Sequence, residues 1–238
     1  MLRSFTRLSV FVYCPMAGEF DGPKLTSGRA CIVSRASTAY YVGVTEAGQV
    51  VVLSMAEVPD CVEVRRVGAS NAESEWALAR GEVEPGEPVA FAAIQGSVFP
   101  DVIWNGFYPI VSERLWRLIA SERFEGCQAY PCRFEGPLLP PGEYFVLGVT
   151  GRCREITFGE EDARKLRVRP DKKGRRLVYA ELQVDLAEWD GADIFMGRGN
   201  RTAYRCVSER FRALLARYEI SGARCDAVDA CEMFVAVE

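Results

Sequence analysis

The chain has 238 residues, 49% of them apolar and 26% charged, which is the make-up of a folded globular protein. Its 13 Phe, 9 Tyr and 4 Trp exclude a disordered chain, and a formal net charge of −4 argues against a generally basic nucleic-acid binder. The absence of histidine excludes Ser-His-Asp triads, Cys-His dyads, imidazole bases and His-containing zinc sites.

In chain order, the predicted elements begin with short strands. The apolar run from Leu8 to Ala17 is broken by Ser9 and Pro15, and no small-x-small cleavage pattern follows it. Leu8–Cys14 therefore reads as a strand rather than a signal segment. Ala30–Val33, Ala39–Thr45 and Gln49–Ser54 are further strands, rich in Val and Tyr, with Glu46-Ala47-Gly48 as a hairpin loop. Cys61–Val67 alternates as a strand does. Asn71–Arg80 is the first predicted helix, with Asn71 as N-cap, Glu73 and Glu75 in the first turns and Gly81 at its end. Pro88–Ile94 is an apolar strand.

Ser112 opens the next helix, with Glu113 in its first turn and Leu115, Leu118 and Ile119 on one face. Val111 can pack on Trp116 as a staple. Gly126 supplies the stop, Cys127–Phe134 is a strand, and Pro137–Gly142 is a rigid loop. Tyr144–Thr150 and Glu155–Phe158 are strands. Arg164–Arg176 carries eight basic residues and one acid, a net +7 that leaves the rest of the chain at −11. It reads as a hairpin with a solvated tip between Leu166–Val168 and Leu177–Val184. Ser208 and Glu209 open a last helix, Gly222 closes it, and Ala223–Val228 follows as a strand. No apolar run approaches the ~18 residues of a membrane-spanning helix.

The end of the chain repeats its middle. Residues 111–126 and 207–222 align without gaps at an offset of 96, with seven identities in 16 positions. Val-Ser-Glu-Arg is among them, at 111–114 and 207–210, and Gly126 matches Gly222. Each shared residue suits a helix: Ser caps, Glu opposes the dipole, Leu and Ala face inward, Gly accepts the left-handed stop. Ser112, Glu113, Gly126, Ser208, Glu209 and Gly222 are therefore predicted to be structural. Four consecutive identities and a matched stop favour internal duplication. Tyr40–Thr45 faintly echoes Tyr144–Thr150.

Chemistry-bearing motifs are scarce. Gly197-Arg198-Gly199-Asn200 lacks the third glycine of a dinucleotide loop and reads as a turn. No phosphate loop and no nucleophile elbow occurs. Glu160-Glu161-Asp162 and Asp185, Glu188, Asp190 lack the spacing of a metal or acid-pair site and read as a solvated acidic face. The nine cysteines are odd in number, contain no C-x-x-C and read as scattered reduced thiols, which implies a reducing cytoplasm. No metal or cofactor is expected. Within the basic stretch, Arg167, Arg169, Lys172, Lys173, Arg175 and Arg176 are the candidate partner-binding residues. They lack the interleaved aromatics of a single-strand binder, so an acidic protein patch fits them better than nucleic acid.

A family resemblance gathers these pieces. Pro100-Asp101-Val102-Ile103 comes first, followed by Pro109-Ile110-Val111-Ser112-Glu113-Arg114 and a helix. A strand with Tyr130-Pro131, then Tyr144-Phe145-Val146-Leu147, and finally Val207-Ser208-Glu209-Arg210 with Ile220-Ser221-Gly222 complete the set. In order and spacing this resembles the Imm-MXAN group of immunity proteins from bacterial polymorphic-toxin and type VI secretion systems. The likeness covers roughly residues 88–228; the first 80 residues share only a β-rich character. Ala223-Arg224-Cys225-Asp226 departs from the group's apolar-aromatic strand. The resemblance implies a cytoplasmic binding protein, not an enzyme, that neutralises a toxin encoded nearby. It brings no catalytic residues. The alternatives are a His-free enzyme that reverses a toxin's modification and a regulatory nucleic-acid binder using the basic stretch; a homodimer stays open. The expected fold is α+β, with mostly antiparallel mixed sheets and two similar Ser-capped helix units in a single globule. A β-rich part spans 1–98, and strand–helix–strand units at 99–136 and 193–230 lie within 99–238.

Overall fold

The computed structural model describes residues 50–68, 71–158, 169–170, 176–198, 204–228 and 232–237. The expected strands at Leu8–Cys14, Ala30–Val33 and Ala39–Thr45, and the loop at Glu46–Gly48, lie outside them. In chain order the elements are β1 (Val51–Met55), β2 (Glu63–Arg66), α1 (Ala72–Ala79), β3 (Val89–Gln95), β4 (Val102–Trp104), β5 (Pro109–Ser112), α2 (Glu113–Ser121), β6 (Cys127–Glu135) and β7 (Tyr144–Val149). There follow β8 (Gly151–Cys153), β9 (Glu155–Phe158), β10 (Arg169–Pro170), β11 (Arg176–Asp185), β12 (Ile194–Gly197), β13 (Arg205–Val207), α3 (Glu209–Arg217), β14 (Ala223–Ala227) and β15 (Glu232–Val237).

The fold is α+β and dominated by sheet. Six strands run in the order β2-β3-β6-β7-β5-β4, and five in the order β14-β1-β13-β12-β8. A smaller sheet is centred on β11, which pairs antiparallel with β9, β10 and β15. Only β3/β6 and β12/β8 are parallel among these pairs. β10 pairs with the start of β11 antiparallel, as in the expected basic hairpin, but at Arg169–Pro170; the expected strand Leu166–Val168 and the tip at 171–175 are outside the described residues.

Two units of the same design account for the centre of the molecule. In the first, β5 leads into α2 and α2 into β6, while β7 lies between β5 and β6 and runs antiparallel to both. In the second, β13, α3 and β14 repeat this path, and β1 takes the central place. The registers coincide. Val111 faces Phe145 in the first unit, and Val207 faces Val51 in the second. Cys127 faces Val149, and Ala223 faces Met55. The second unit is thus a circularly permuted copy: its central strand comes from the chain ahead of the first unit. The strand that matches 145–149 is 51–55, not the 40–45 segment that echoes it in sequence.

Local chemistry explains the helices. Asn71 accepts the Ser74 amide at 2.8 Å, and Ser74 Oγ accepts the Asn71 amide at 3.1 Å, a capping box for α1. Buried Glu75 of α1 accepts the Tyr108 hydroxyl and the Arg66 guanidinium, each at 2.6 Å, so its charge is compensated. Ser112 and Ser208 cap α2 and α3 by accepting the amides of Leu115 and Phe211, each at 3.2 Å.

The units share one core. Leu115, Ile119 and Phe124 of the first pack with Phe211, Leu214, Leu215 and Ile220 of the second, between Val111 and Leu147 on one side and Val207 and Leu53 on the other. Val111 is buried in this core, and Trp116 packs against it beside Phe145. Because the apolar faces of both helices are spent on the same cluster, neither unit has a complete core alone.

The expectation that Gly126 and Gly222 stop the helices is corrected. The left-handed exits fall three residues earlier, on Arg123 (φ 55°) and Glu219 (φ 49°), after the C-caps Glu122 and Tyr218. The glycines serve the close approach that follows. A Cβ on Gly126 would lie 2.1 Å from the Ile194 carbonyl oxygen, and one on Gly222 would lie 2.0 Å from that of Val102. Their φ angles of 90° and 81° add to the strain of any side chain. Gly126→Ala and Gly222→Ala should each destabilise the protein by more than about 2 kcal/mol in urea titration. Gly106→Ala, at φ 93° but in open space, should cost only about 1 kcal/mol.

Candidate functional site

The chemically richest arrangement lies where the start of each of the helices α2 and α3 meets the end of the other. It is built twice around an aspartate. Asp101, at the entrance to β4, accepts the Ser112 hydroxyl on Oδ1 at 2.8 Å and the Arg114 guanidinium on Oδ2 at 2.9 Å. Its carbonyl takes the Ser112 amide at 2.8 Å. Asp193, at the entrance to β12, accepts the Ser208 hydroxyl at 2.7 Å and Arg210 at 2.6 Å, and its carbonyl takes the Ser208 amide at 2.8 Å. Each aspartate also holds the backbone just past the opposite helix: Asp101 accepts the Ser221 amide at 3.1 Å, and Asp193 the Glu125 amide at 3.2 Å.

The two arginines close the circuit. Arg114 stands in the first turn of α2, yet its guanidinium donates to the Tyr218 carbonyl at the end of α3. Arg210 stands in the first turn of α3 and donates to the carbonyls of Glu122 and Arg123 at the end of α2. A cation in a first turn opposes its own helix dipole, but here each charge sits on the negative end of the neighbouring helix. Arg210 also lies 4.1 Å over the Phe124 ring, which meets Phe211 edge-on at 5.3 Å. Ile220 takes the place of Phe124 in the other half, so the two clamps are not equal.

Burial alone would raise the Asp193 carboxyl, but the hydrogen bonds from Arg210, Ser208 and the Glu125 amide outweigh it and hold its pKa below the usual carboxylate value. Buried Arg205 of β13 donates to the Phe107 carbonyl in the β4–β5 turn, and burial draws its pKa down to about 10, still protonated at neutral pH. Burial pushes the thiols of Cys127, Cys132, Cys153 and Cys225 up to about 12. These four are therefore neutral thiols rather than nucleophiles. An open groove of about 430 Å³ runs beside α2, lined by Glu113, Arg114, Arg117, Leu118, Ser121 and Tyr218.

Of the predicted partner-binding residues, Arg167, Lys172, Lys173 and Arg175 lie outside the described residues. Arg169 and Arg176 are placed by their backbones, on β10 and β11, in adjoining register pairs. Ser112 and Ser208 are the helix caps that their sequence context predicts. Glu113 and Glu209 are first helical residues and pair with Arg117 and Arg212. The acidic residues at 185–190 are only partly the solvated face expected of them. Asp190 accepts the amides of Arg152 at 2.8 Å and Ala192 at 3.1 Å, and Asp185 that of Ala187 at 2.9 Å, so both pin turns. Glu160-Glu161-Asp162 lies outside the described residues.

The aspartate pair escapes the ungapped comparison. Asp101-Val102-Ile103 and Asp193-Ile194-Phe195 occupy matching places, but 11 residues separate Asp101 from Ser112 and 15 separate Asp193 from Ser208. A four-residue gap in the alignment would have paired them. Among the described residues no group of His, Cys, Asp and Glu could hold a metal ion, and no helix is long and apolar enough to cross a membrane. No protein-family model matches the chain, and no curated protein does.

Asp193→Asn should cost about 2 kcal/mol, the scale of a charge-assisted hydrogen-bond set. A carboxylate with a depressed folded pKa contributes stability that is fully present above its ordinary value, 3.8, and is lost as pH falls through the lower folded value. Urea midpoints taken between about pH 2 and pH 7 should show the acid limb flattened in Asp193→Asn relative to the wild type.

Proposed function

We propose that this chain is an immunity protein: a cytoplasmic, stoichiometric binder that neutralises a cognate bacterial toxin domain by direct contact. The observation that carries this reading is the ordered motif set from Pro100 to Gly222, in which Val-Ser-Glu-Arg occurs twice. The geometry around those motifs supports it. Ser, Glu and Arg of both copies are engaged in caps, helix pairs and cross-helix clamps, an arrangement suited to holding a rigid surface. A preorganised surface binds with a smaller ordering cost.

The basic stretch supplies a means of capture. Arg167, Arg169, Lys172, Lys173, Arg175 and Arg176 form a concentrated positive region on a chain that is otherwise acidic. Facing an acidic patch on the toxin, they would speed encounter more than they tighten the final complex. A metal-free, cofactor-free mode of action follows from the same reading.

Co-expression with the toxin domain encoded next to this chain tests the function. Cells should survive, and the two proteins should co-purify at equal stoichiometry. Cell death without a complex, or rescue by substoichiometric amounts with turnover of a modified substrate, overturns it. Lys172→Glu/Lys173→Glu/Arg175→Glu should slow association about tenfold at low ionic strength, with the difference shrinking as salt rises. Stopped-flow association rates over a salt series check this.

A further inference from the structure

β14 ends the five-stranded sheet, paired antiparallel with β1. Its counterpart in the first unit, β6, has a neighbour on each side, β7 and the parallel strand β3. Among the described residues no strand adjoins the other side of β14. An edge strand offers its outward backbone groups as a template for another chain unless its side chains forbid the approach.

The ladder to β1 shows which groups point outward. The Ala56 amide donates to the Gly222 carbonyl at 3.2 Å, so residues 222, 224 and 226 turn their backbone polar groups toward β1. The amide and carbonyl of Cys225, at the middle of the strand, therefore point away from β1. The Cys225 side chain packs against the shared core, and Arg224 and Asp226 flank it on the opposite face of the sheet. These two meet at 3.1 Å within the strand, with side chains 30% and 23% exposed. Gln128 and Tyr130 hold the matching places in β6, so the charges belong to the second unit alone.

We propose that β14 pairs antiparallel with β14 of a second copy of this chain, about a two-fold axis at Cys225. In this register the Cys225 amide of each copy donates to the Cys225 carbonyl of the other. Arg224 of each copy faces Asp226 of the other, at the positions between hydrogen-bonded pairs where side chains approach most closely. Moving the axis by one residue sets Arg224 opposite Arg224 or Asp226 opposite Asp226, and like charges directly opposite destabilise a sheet. The charges thus select one register rather than guard the edge. The occupant is a second copy because the strand is complementary to itself. The pairing joins the two sheets edge to edge and leaves α3 of both copies on one face. It does not depend on the immunity reading.

Sedimentation velocity of the full chain in reducing, low-salt buffer, from about 1 µM to about 200 µM, is the test. The wild type should pass from monomer to dimer within this range, because the pairing is short. Arg224→Asp and Asp226→Arg should each weaken the dimer about tenfold or more, since each sets like charges opposite one another on both sides of the axis. The double variant Arg224→Asp/Asp226→Arg should regain wild-type association. An equal mixture of the two single variants should do so too, each pairing with the other, and this recovery also shows that both fold. A wild type that stays monomeric throughout overturns the proposal. So does a dimer that either single reversal leaves within about twofold, or a mixture that stays monomeric.

Discussion

A carboxylate that binds a serine, an arginine and a neighbouring backbone at once holds the centre of this protein. Asp101 and Asp193 each fix the start of one helix through the capping serine. Each also orients an arginine that reaches the carbonyls at the end of the other helix. Removing either carboxylate would leave an arginine beside a helix start with its own dipole against it. The clamps are reciprocal, so loosening one helix end exposes groups in both units. Their depth differs: only the Arg210 side has an aromatic ring beneath the cation.

The clamps and the shared core make the two units interdependent. Each helix spends its apolar face on a cluster that contains the other. Gly126 and Gly222 sit at the places where each unit's backbone comes against the other's entry strand, with no room for a Cβ. A proposed binding surface built on such a frame would present the arginines at the starts of α2 and α3 in fixed relation. That rigidity, rather than any reactive side chain, is the property on which the functional proposal depends.

Much of this was legible in the chain because local chemistry wrote it. The Ser-Glu-Arg openings of α2 and α3 and the Asn71 capping box follow from residue types at fixed short spacing. The apolar strand before the basic stretch and the repeat at offset 96 were equally plain. What stayed hidden depends on distance along the chain. The pairing of Asp101 with Asp193 was masked by a four-residue difference in loop length. The equivalence of Val51–Met55 with residues 145–149 was masked by permutation, since the matching strand precedes the unit it repeats. The helix stops at Arg123 and Glu219 went to non-glycine residues, so the glycine signal pointed three positions too far. The candidate toxin-binding residues were picked out by charge alone, and four of the six lie outside the described residues.

The borrowed strand has a consequence for biosynthesis. The first unit is contiguous from β4 to β7, so its strands and helix leave the ribosome together. The second must keep Val51–Met55 unpaired until β13, α3 and β14 have been made, some 170 residues later. At ordinary rates of synthesis that interval is roughly ten to thirty seconds. During it a mostly apolar five-residue segment, four of whose members end up buried, has its native packing partners in the first unit but neither of its strand-pairing partners on the nascent chain. Translation order therefore sets the order in which the two ladders can close, and the first unit, whose core Leu53 joins, is the native surface already made when that segment waits.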